Sequence, residues 1–305
     1  MEKLGGVFNA SSPEMSAMAD LTFFMIAIAV AIFVIVTGAI VFIIIRYRKR
    51  KGDESEPEQY FGSLSAEIVW TLIPTIIVAF LFFYTVKTMY AVDPPKGDRE
   101  PDIVIIGHQW WWELIYPKSG VVTANEVHLP VGETWLAKLE SVDVIHDFWV
   151  PELFRKIDLV PGHPNYIWLS SSKPGTFLGA CAEFCGAQHA NMRIRVIVQT
   201  REEFDAWQNQ QLKFPTPPTK GEAATGAKLF NEMGCANCHL AGVGPNLTHL
   251  STRETIGAGV LTNTHENLKK WLLNPQVYKP GSYMPNMKLS DKQANQIVAY
   301  LETLK

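Results

Sequence analysis

Cysteine is scarce in this chain, with four in 305 residues. The four fall as two close pairs, Cys181 with Cys185 and Cys235 with Cys238, so no framework of scattered disulfides is available. An excess of charge of either sign is also missing. The formal net charge is -3, and nothing in it points to a nucleic-acid partner. No internal repeat is present, and no low-complexity tract beyond one proline-rich stretch. Charge is absent altogether from Leu21 to Ile45 and again from Ile68 to Val86. A bilayer is spanned by about 20 apolar residues, so each run is long enough to be a transmembrane helix. Neither run has the polar face of a soluble core helix. Pro74, inside the second, is tolerated in membrane helices. The first run is too long for a secretory signal, is followed rather than preceded by basic residues, and leads to no small-residue cleavage site.

Those basic residues, Arg46, Arg48, Lys49, Arg50 and Lys51, set the orientation against Glu2, Glu14, Asp20 and a single Lys3 on the other side. The positive-inside rule puts the connecting loop in the cytoplasm, with both termini and everything after the second span outside an inner or plasma membrane. Five segments are expected. Residues 1–17 are a poorly ordered leader and 18–92 a two-helix transmembrane hairpin. Residues 93–200 form a β domain, 201–221 a short helix and linker, and 222–305 an all-α domain. The β domain begins after Asp93-Pro94-Pro95-Lys96-Gly97. Short apolar runs such as Ile103–Ile106, Trp135–Ala137, Tyr166–Leu169 and Ile194–Val198 alternate there with Gly and Pro turns, which indicates an antiparallel sandwich. The linker Lys213-Phe214-Pro215-Thr216-Pro217-Pro218-Thr219 is extended and fairly stiff, and on this reading it hangs the last domain farther from the membrane.

Cys181 and Cys185, with three residues between them on one loop, can turn two thiolates into one small cavity. His189 and Met192 follow with an imidazole and a thioether, and His146 is placed to close the set from an earlier loop. Soft thiolate and thioether donors with imidazole suit copper. His108, His128, His163, His249 and His265 have no ligand spacing and are read as structural or surface residues.

The run Gly179-Ala180-Cys181-Ala182-Glu183-Phe184-Cys185-Gly186-Ala187-Gln188-His189-Ala190-Asn191-Met192, with Asp143-Val144-Ile145-His146 upstream, closely resembles subunit II of haem–copper cytochrome c oxidases. The likeness runs from about residue 20 to 200 and includes Trp70-Thr71-Leu72-Ile73-Pro74 and Gly107-His108-Gln109-Trp110-Trp111-Trp112. It implies a cupredoxin-like sandwich carrying a binuclear copper centre, CuA. The ligands would be His146, Cys181, Cys185, His189 and Met192, with Glu183 giving its carbonyl. It also implies a magnesium shared with subunit I at the Glu183 carboxylate, a proton-channel mouth at Glu67, and electron entry to CuA at Trp110. The family usually carries Trp-Tyr-Trp where this chain has three tryptophans. Trp111 and Trp112 read as core or interface residues.

Cys235-Ala236-Asn237-Cys238-His239 is the attachment pattern of a covalent haem c, with His239 as proximal ligand. A zinc site or a redox dithiol is the usual competitor. No second Cys/His pair stands nearby, and the next candidate ligand is a methionine. Residues from about 222 to 305 resemble class I cytochromes c. Gly226 and Phe230 match positions that pack on the last helix opposite Tyr300, and Gly244-Pro245-Asn246-Leu247 matches the loop whose carbonyl orients the proximal histidine. The distal ligand is expected to be methionine, since His/Met ligation raises the potential of an electron carrier. In Tyr283-Met284-Pro285-Asn286-Met287, Met284 fits the family's Met-Pro pattern and is preferred to Met287.

Together these features imply the electron-input subunit of a proton-pumping, caa3-type cytochrome c oxidase. Its partners would be subunit I, where oxygen is reduced, subunit III, and an external donor such as cytochrome c, another small redox protein or a bc-type complex. Two other readings fit part of the pattern. One is a CuA-bearing nitric oxide reductase subunit. The other is a membrane-anchored carrier with no enzyme partner, for which a single span would suffice.

Overall fold

A computed structural model of the chain describes residues 5–52, 54, 56, 58–94 and 99–305. Glu2 and Lys3 of the orientation argument lie outside the described residues. So do Asp53, Ser55 and Pro57 of the loop, and Pro95, Lys96 and Gly97 of the domain boundary. The chain divides into two compact units, Ser16–Val92 and the residues up to Met15 with Asp93–Lys305.

Two helices form the first unit: α1 (Pro13–Arg46) and α2 (Leu64–Val92). Proline suits the first turn of α1 because its missing N–H would have no helical partner there, and Ser12 Oγ accepts from the Met15 N–H at 3.0 Å. Along the hairpin, the Phe24 ring meets Phe80 and Tyr84 at 5.7 and 5.9 Å. Both helices are long and apolar enough to cross a membrane. Most of their apolar side chains are exposed, Ile45 at 73%, as lipid-facing residues are.

The second unit starts with a correction to the expected leader. Residues 9–15 are ordered against the β domain: the Ser11 N–H donates to Glu152 O and the Ser172 N–H to Ser11 O, both at 2.8 Å. Ser12 Oγ donates to Leu153 O, and Ser11 and Ser12 are buried. Polar side chains made this strap look like a loose end, but it is their hydrogen bonds to distant backbone that hold it down.

Ten strands follow: β1 (Ile103–His108), β2 (Trp111–Tyr116), β3 (Val121–Ala124), β4 (Glu126–Pro130), β5 (Thr134–Ser141), β6 (His146–Val150), β7 (Phe154–Leu159), β8 (Asn165–Ser170), β9 (Gly175–Cys181) and β10 (Arg193–Gln199). They make two five-stranded sheets, ordered β3-β2-β1-β5-β8 and β4-β10-β9-β6-β7. The chain changes sheet at Asn125, which takes φ 63°; its side-chain oxygen accepts from the Trp112 N–H at 2.9 Å. Antiparallel pairing dominates, yet each sheet holds one parallel pair, β1 with β5 and β4 with β10. Long connections, rather than hairpins, join these pairs, and only local hairpins are visible as turn signals in the sequence. Residues of alternating burial line the core between the sheets, centred on Trp112, Phe148, Phe154 and Leu114.

Helix α3 (Arg201–Gln211) closes one end of the sandwich. It opens with a capping box between Thr200 and Glu203. Phe204 is buried beside Tyr116 and Trp135, and Trp207 stacks on the His128 ring at 4.0 Å. Burial pulls the His128 pKa down to about 4, partly offset by its contact with Gln199. The unfolded chain therefore binds this proton more readily than the folded one. His128 contributes its full stabilisation above its unfolded value near 6.5 and loses it as pH falls towards 4, a change of about 3 kcal/mol. His128→Phe, which can keep the stack, is expected to flatten that part of the stability–pH curve in thermal unfolding.

After the linker, the last lobe contains α4 (Gly221–Glu232), α5 (Cys235–His239), α6 (His265–Leu273) and α7 (Asp291–Leu301), with one two-residue ladder, β11 (Thr255–Ile256) with β12 (Leu261–Thr262). Ser290 and Gln293 form the capping box of α7. Helices α4 and α7 cross at Gly226, and the Phe230 and Tyr300 rings meet edge-on at 5.4 Å.

The linker does not hold this lobe away from the sandwich, which corrects the reading of it as a spacer. The Arg193 N–H donates to Ala258 O at 3.1 Å. Buried Glu126 accepts from the Glu254 N–H at 3.0 Å and from the Thr255 N–H and Oγ1 at 2.9 Å each. Burial raises the Glu126 pKa against the pull of these donors. A buried carboxylate is retained when such bonds are in place.

Candidate metal and haem centres

The copper-motif residues converge at one end of the second sheet. His146 opens β6 and Cys181 ends β9, its neighbour, so two distant sequence positions meet by strand pairing. Cys185, His189 and Met192 lie on the loop that returns to β10. The Cys181 and Cys185 sulfurs are 3.7 Å apart. His146 Nδ1 lies 3.9 Å from Cys181 Sγ, and His189 Nδ1 lies 3.6 Å from Cys185 Sγ. Glu183 O is 3.2 Å from Cys181 Sγ, and Met192 Sδ is 3.9 Å from Cys185 Sγ. Among the described residues, the group that could hold a metal is His146, Cys181 and Cys185, all buried.

The electrostatics of the pair ask for a cation. A hydrogen bond from Cys185 lowers the Cys181 pKa, and the resulting thiolate opposes a second ionisation at Cys185. Two thiolates this close are stable together when positive charge lies between them, and metal supplies it. The donors present, two thiolates, two imidazoles, a thioether and a carbonyl, fit soft copper.

Around this set, further hydrogen bonds orient the candidate donors. His146 Nε2 donates to Asp143 Oδ1 at 2.8 Å, leaving Nδ1 towards the sulfurs. Burial opposes His146 protonation, but hydrogen bonds to Cys181 and Asp143 raise its pKa overall. Trp110 is buried and donates from Nε1 to Cys185 O at 2.9 Å; Gln109 Nε2 donates to the same oxygen at 2.7 Å. The ordering roles of Asp143 and Gln109 were not read from the sequence, because a carboxylate three residues before a histidine signals nothing until the loop between them is folded. Trp112 is fully buried in the core, while Trp111 packs with Ala124 and Ala258. The Glu183 carboxylate is exposed, with Oε1 accepting from the Phe184 N–H at 3.2 Å. Glu67 is an exposed residue in the first turn of α2.

In the last lobe, Cys235, Cys238 and His239 share the single turn α5, and none of the four cysteines is in a disulfide. His239 Nδ1 lies 2.8 Å from Pro245 O, which leaves Nε2 as the free ring nitrogen. Burial lowers the His239 pKa, keeping the imidazole neutral as a ligand must be. Gly244 lies close beside it, and a Cβ there would sit 3.1 Å from the ring, a contact that would push the ring aside. The Met284 sulfur accepts from Trp271 Nε1 at 3.1 Å. Cys235, Leu247, Trp271, Met284 and Met287 all border the lobe's core while only partly buried. Apolar walls, two thiols, an imidazole and thioethers suit a flat apolar macrocycle such as haem. The other histidines sit in structural settings or at the surface: His108 stacks on Trp111 at 4.1 Å, His249 is buried, His265 pairs with Glu302 and His163 is exposed.

Family models match the chain segment by segment. Residues 3–88 match the cytochrome c oxidase subunit II transmembrane domain, 119–200 its periplasmic domain, and 223–305 cytochrome c. Cytochrome c oxidase subunit 2 of Alkalihalophilus pseudofirmus is 39% identical over 290 residues, covering 91% of this chain and 84% of that protein. The chain belongs to the cytochrome c oxidase subunit II family. Further subunit 2 relatives, from Bacillus sp. and Bacillus subtilis, are 35% and 32% identical, covering 85% and 87% of this chain and 80% and 82% of theirs. As a subunit II, the chain is a membrane protein with two spans and a periplasmic domain. It is a subunit of a haem–copper oxidase, with a CuA site and a fused cytochrome c domain at the electron input.

Proposed function

We propose that this subunit receives electrons from an external donor at haem c, passes them to CuA and delivers them to subunit I of a proton-pumping caa3-type oxidase, where oxygen is reduced to water. The observation that carries the reading is the presence, in one compact unit, of the converging copper donors and the Cys235–His239 turn. Haem c would be held by Cys235, Cys238, His239 and Met284. The copper pair would be held by His146, Cys181, Cys185, His189, Met192 and the Glu183 carbonyl. When bound, both groups supply one-electron chemistry; the chain binds, orients and shields them.

Further roles follow from the family resemblance. Trp110 is the entry to CuA, supported by its bond to Cys185 O. Glu67 stands at a proton-channel mouth, and the Glu183 carboxylate helps hold a magnesium at the subunit I border. Subunit III completes the partners, and the basic residues after α1 support a cytoplasmic loop with both termini outside. Donors of three kinds fit: cytochrome c, another small redox protein or a bc-type complex.

Photochemical injection of one electron into the purified oxidase tests the order. Haem c is expected to be reduced first and CuA second, at a rate independent of protein concentration. Reduction of CuA before haem c would refute the order. For the distal ligand, Met284→Ala is expected to abolish the weak thioether-to-iron absorption band and Met287→Ala to preserve it; the reverse pattern would move the assignment to Met287.

A further inference from the structure

The haem lobe meets the copper loop through one short segment, Lys279 to Met284. Tyr283 directly precedes the thioether of Met284. Its ring centre lies 5.3 Å from that of Trp110, with the planes 31° apart, and its hydroxyl donates to Gln109 Oε1 at 2.7 Å. Both contacted residues donate to the carbonyl of Cys185. A continuous series of contacts therefore runs from the residue beside Met284 to the backbone of a copper-motif cysteine.

Lys279 lies behind this contact and is 4% exposed. Its Nζ donates to Trp110 O at 2.8 Å and to Gly257 O at 3.2 Å, one carbonyl from each lobe. Burial lowers its pKa to about 7, and amine or ammonium alike carries hydrogens for both bonds. Gln188 Nε2 adds a bond from the copper loop to Pro280 O at 2.5 Å. Burying a lysine head is unfavourable unless its bonds are met, and the bond to Trp110 O is met only when the lobes are together.

We propose that Tyr283 is the contact through which the haem lobe couples electronically to Trp110, and that Lys279 is the positioning residue that holds the lobe in this seat. The proposal rests on the reading of Trp110 as the entry to CuA. In the step concerned, one electron leaves ferrous haem c, which becomes ferric, and the oxidised copper pair gains it. No bond or proton changes hands, and Tyr283 and Trp110 end as they began.

The test uses the full chain in its purified oxidase, with Tyr283→Phe, Tyr283→Ala, Lys279→Met and Trp110→Leu. One readout is the haem-to-copper electron-transfer rate; the other is amide hydrogen exchange over residues 107–112, which needs no turnover. Tyr283→Ala is expected to slow transfer about tenfold or more, with exchange unchanged, while Tyr283→Phe keeps most of the rate. Lys279→Met is expected to raise exchange by about tenfold or more, the scale of losing a buried donor, and to slow transfer while the thioether band shows the lobe still folded. An unchanged rate in Tyr283→Ala, with Trp110→Leu slowed, would overturn the coupling contact and leave the entry reading standing. An unchanged rate in Trp110→Leu would overturn the entry reading itself. Unchanged exchange in Lys279→Met would overturn the positioning role.

Discussion

Cys185→Ser is expected to remove the copper pair from a chain that stays folded. Cys185 is the hub of the donor set: its sulfur neighbours Cys181, His189 and Met192 within 3.9 Å. A serine hydroxyl does not ionise near neutral pH and is a hard donor, so the site loses both a charge and its affinity for soft copper. The swap is nearly isosteric. The carbonyl that receives Gln109 and Trp110 belongs to the backbone and is unchanged. Elemental analysis is expected to show copper lost almost completely, with the circular dichroism of the sandwich retained. A variant that keeps its full copper would contradict the ligand assignment.

Gly226→Ala destabilises the haem lobe, against the usual rule. In a helix interior, alanine is favoured over glycine by about 1 kcal/mol. At this crossing, however, a Cβ would lie 1.8 Å from Gln296 O and 2.5 Å from its carbonyl carbon. Those atoms are backbone of α7, which cannot rotate out of the way as a side chain could. Helix α7 carries Ala294, Ile297 and Val298 at 0% exposed, so moving it opens the lobe's core. Overpacking typically costs about 1–3 kcal/mol, and contact with backbone that cannot yield places this site at the upper end, which outweighs the propensity gain. Denaturant unfolding followed by the haem thioether band is expected to show a lower midpoint than the parent chain. An equal or higher midpoint would mean that the two helices do not pack this closely.

Features encoded locally were legible in the sequence, and those created by distant pairing were not. The two spans follow from missing charge, and the short helix expected within 201–221 is α3. The copper loop was legible because five of its six candidate donors, from Cys181 to Met192, lie within one short stretch, with His146 the single remote member. The seat of the haem lobe was hidden. Glu126 finds Thr255 from 129 positions away, and a lone glutamate at the start of a strand reads as an ordinary surface charge. The strap at Ser11 and Ser12 was hidden for the same reason, since short polar residues near a terminus show no periodicity. Lys279 and Tyr283 carry no motif, and their meaning comes only from what the fold sets against them.

One chain is expected to carry both redox stations. Copper and haem quantification on the detergent-purified oxidase tests this most directly. The account predicts a pair of coppers and one covalently attached haem for each copy of this chain, with the haem retained after acid–acetone extraction. A single copper per chain, or a haem that extraction removes from this subunit, would contradict it.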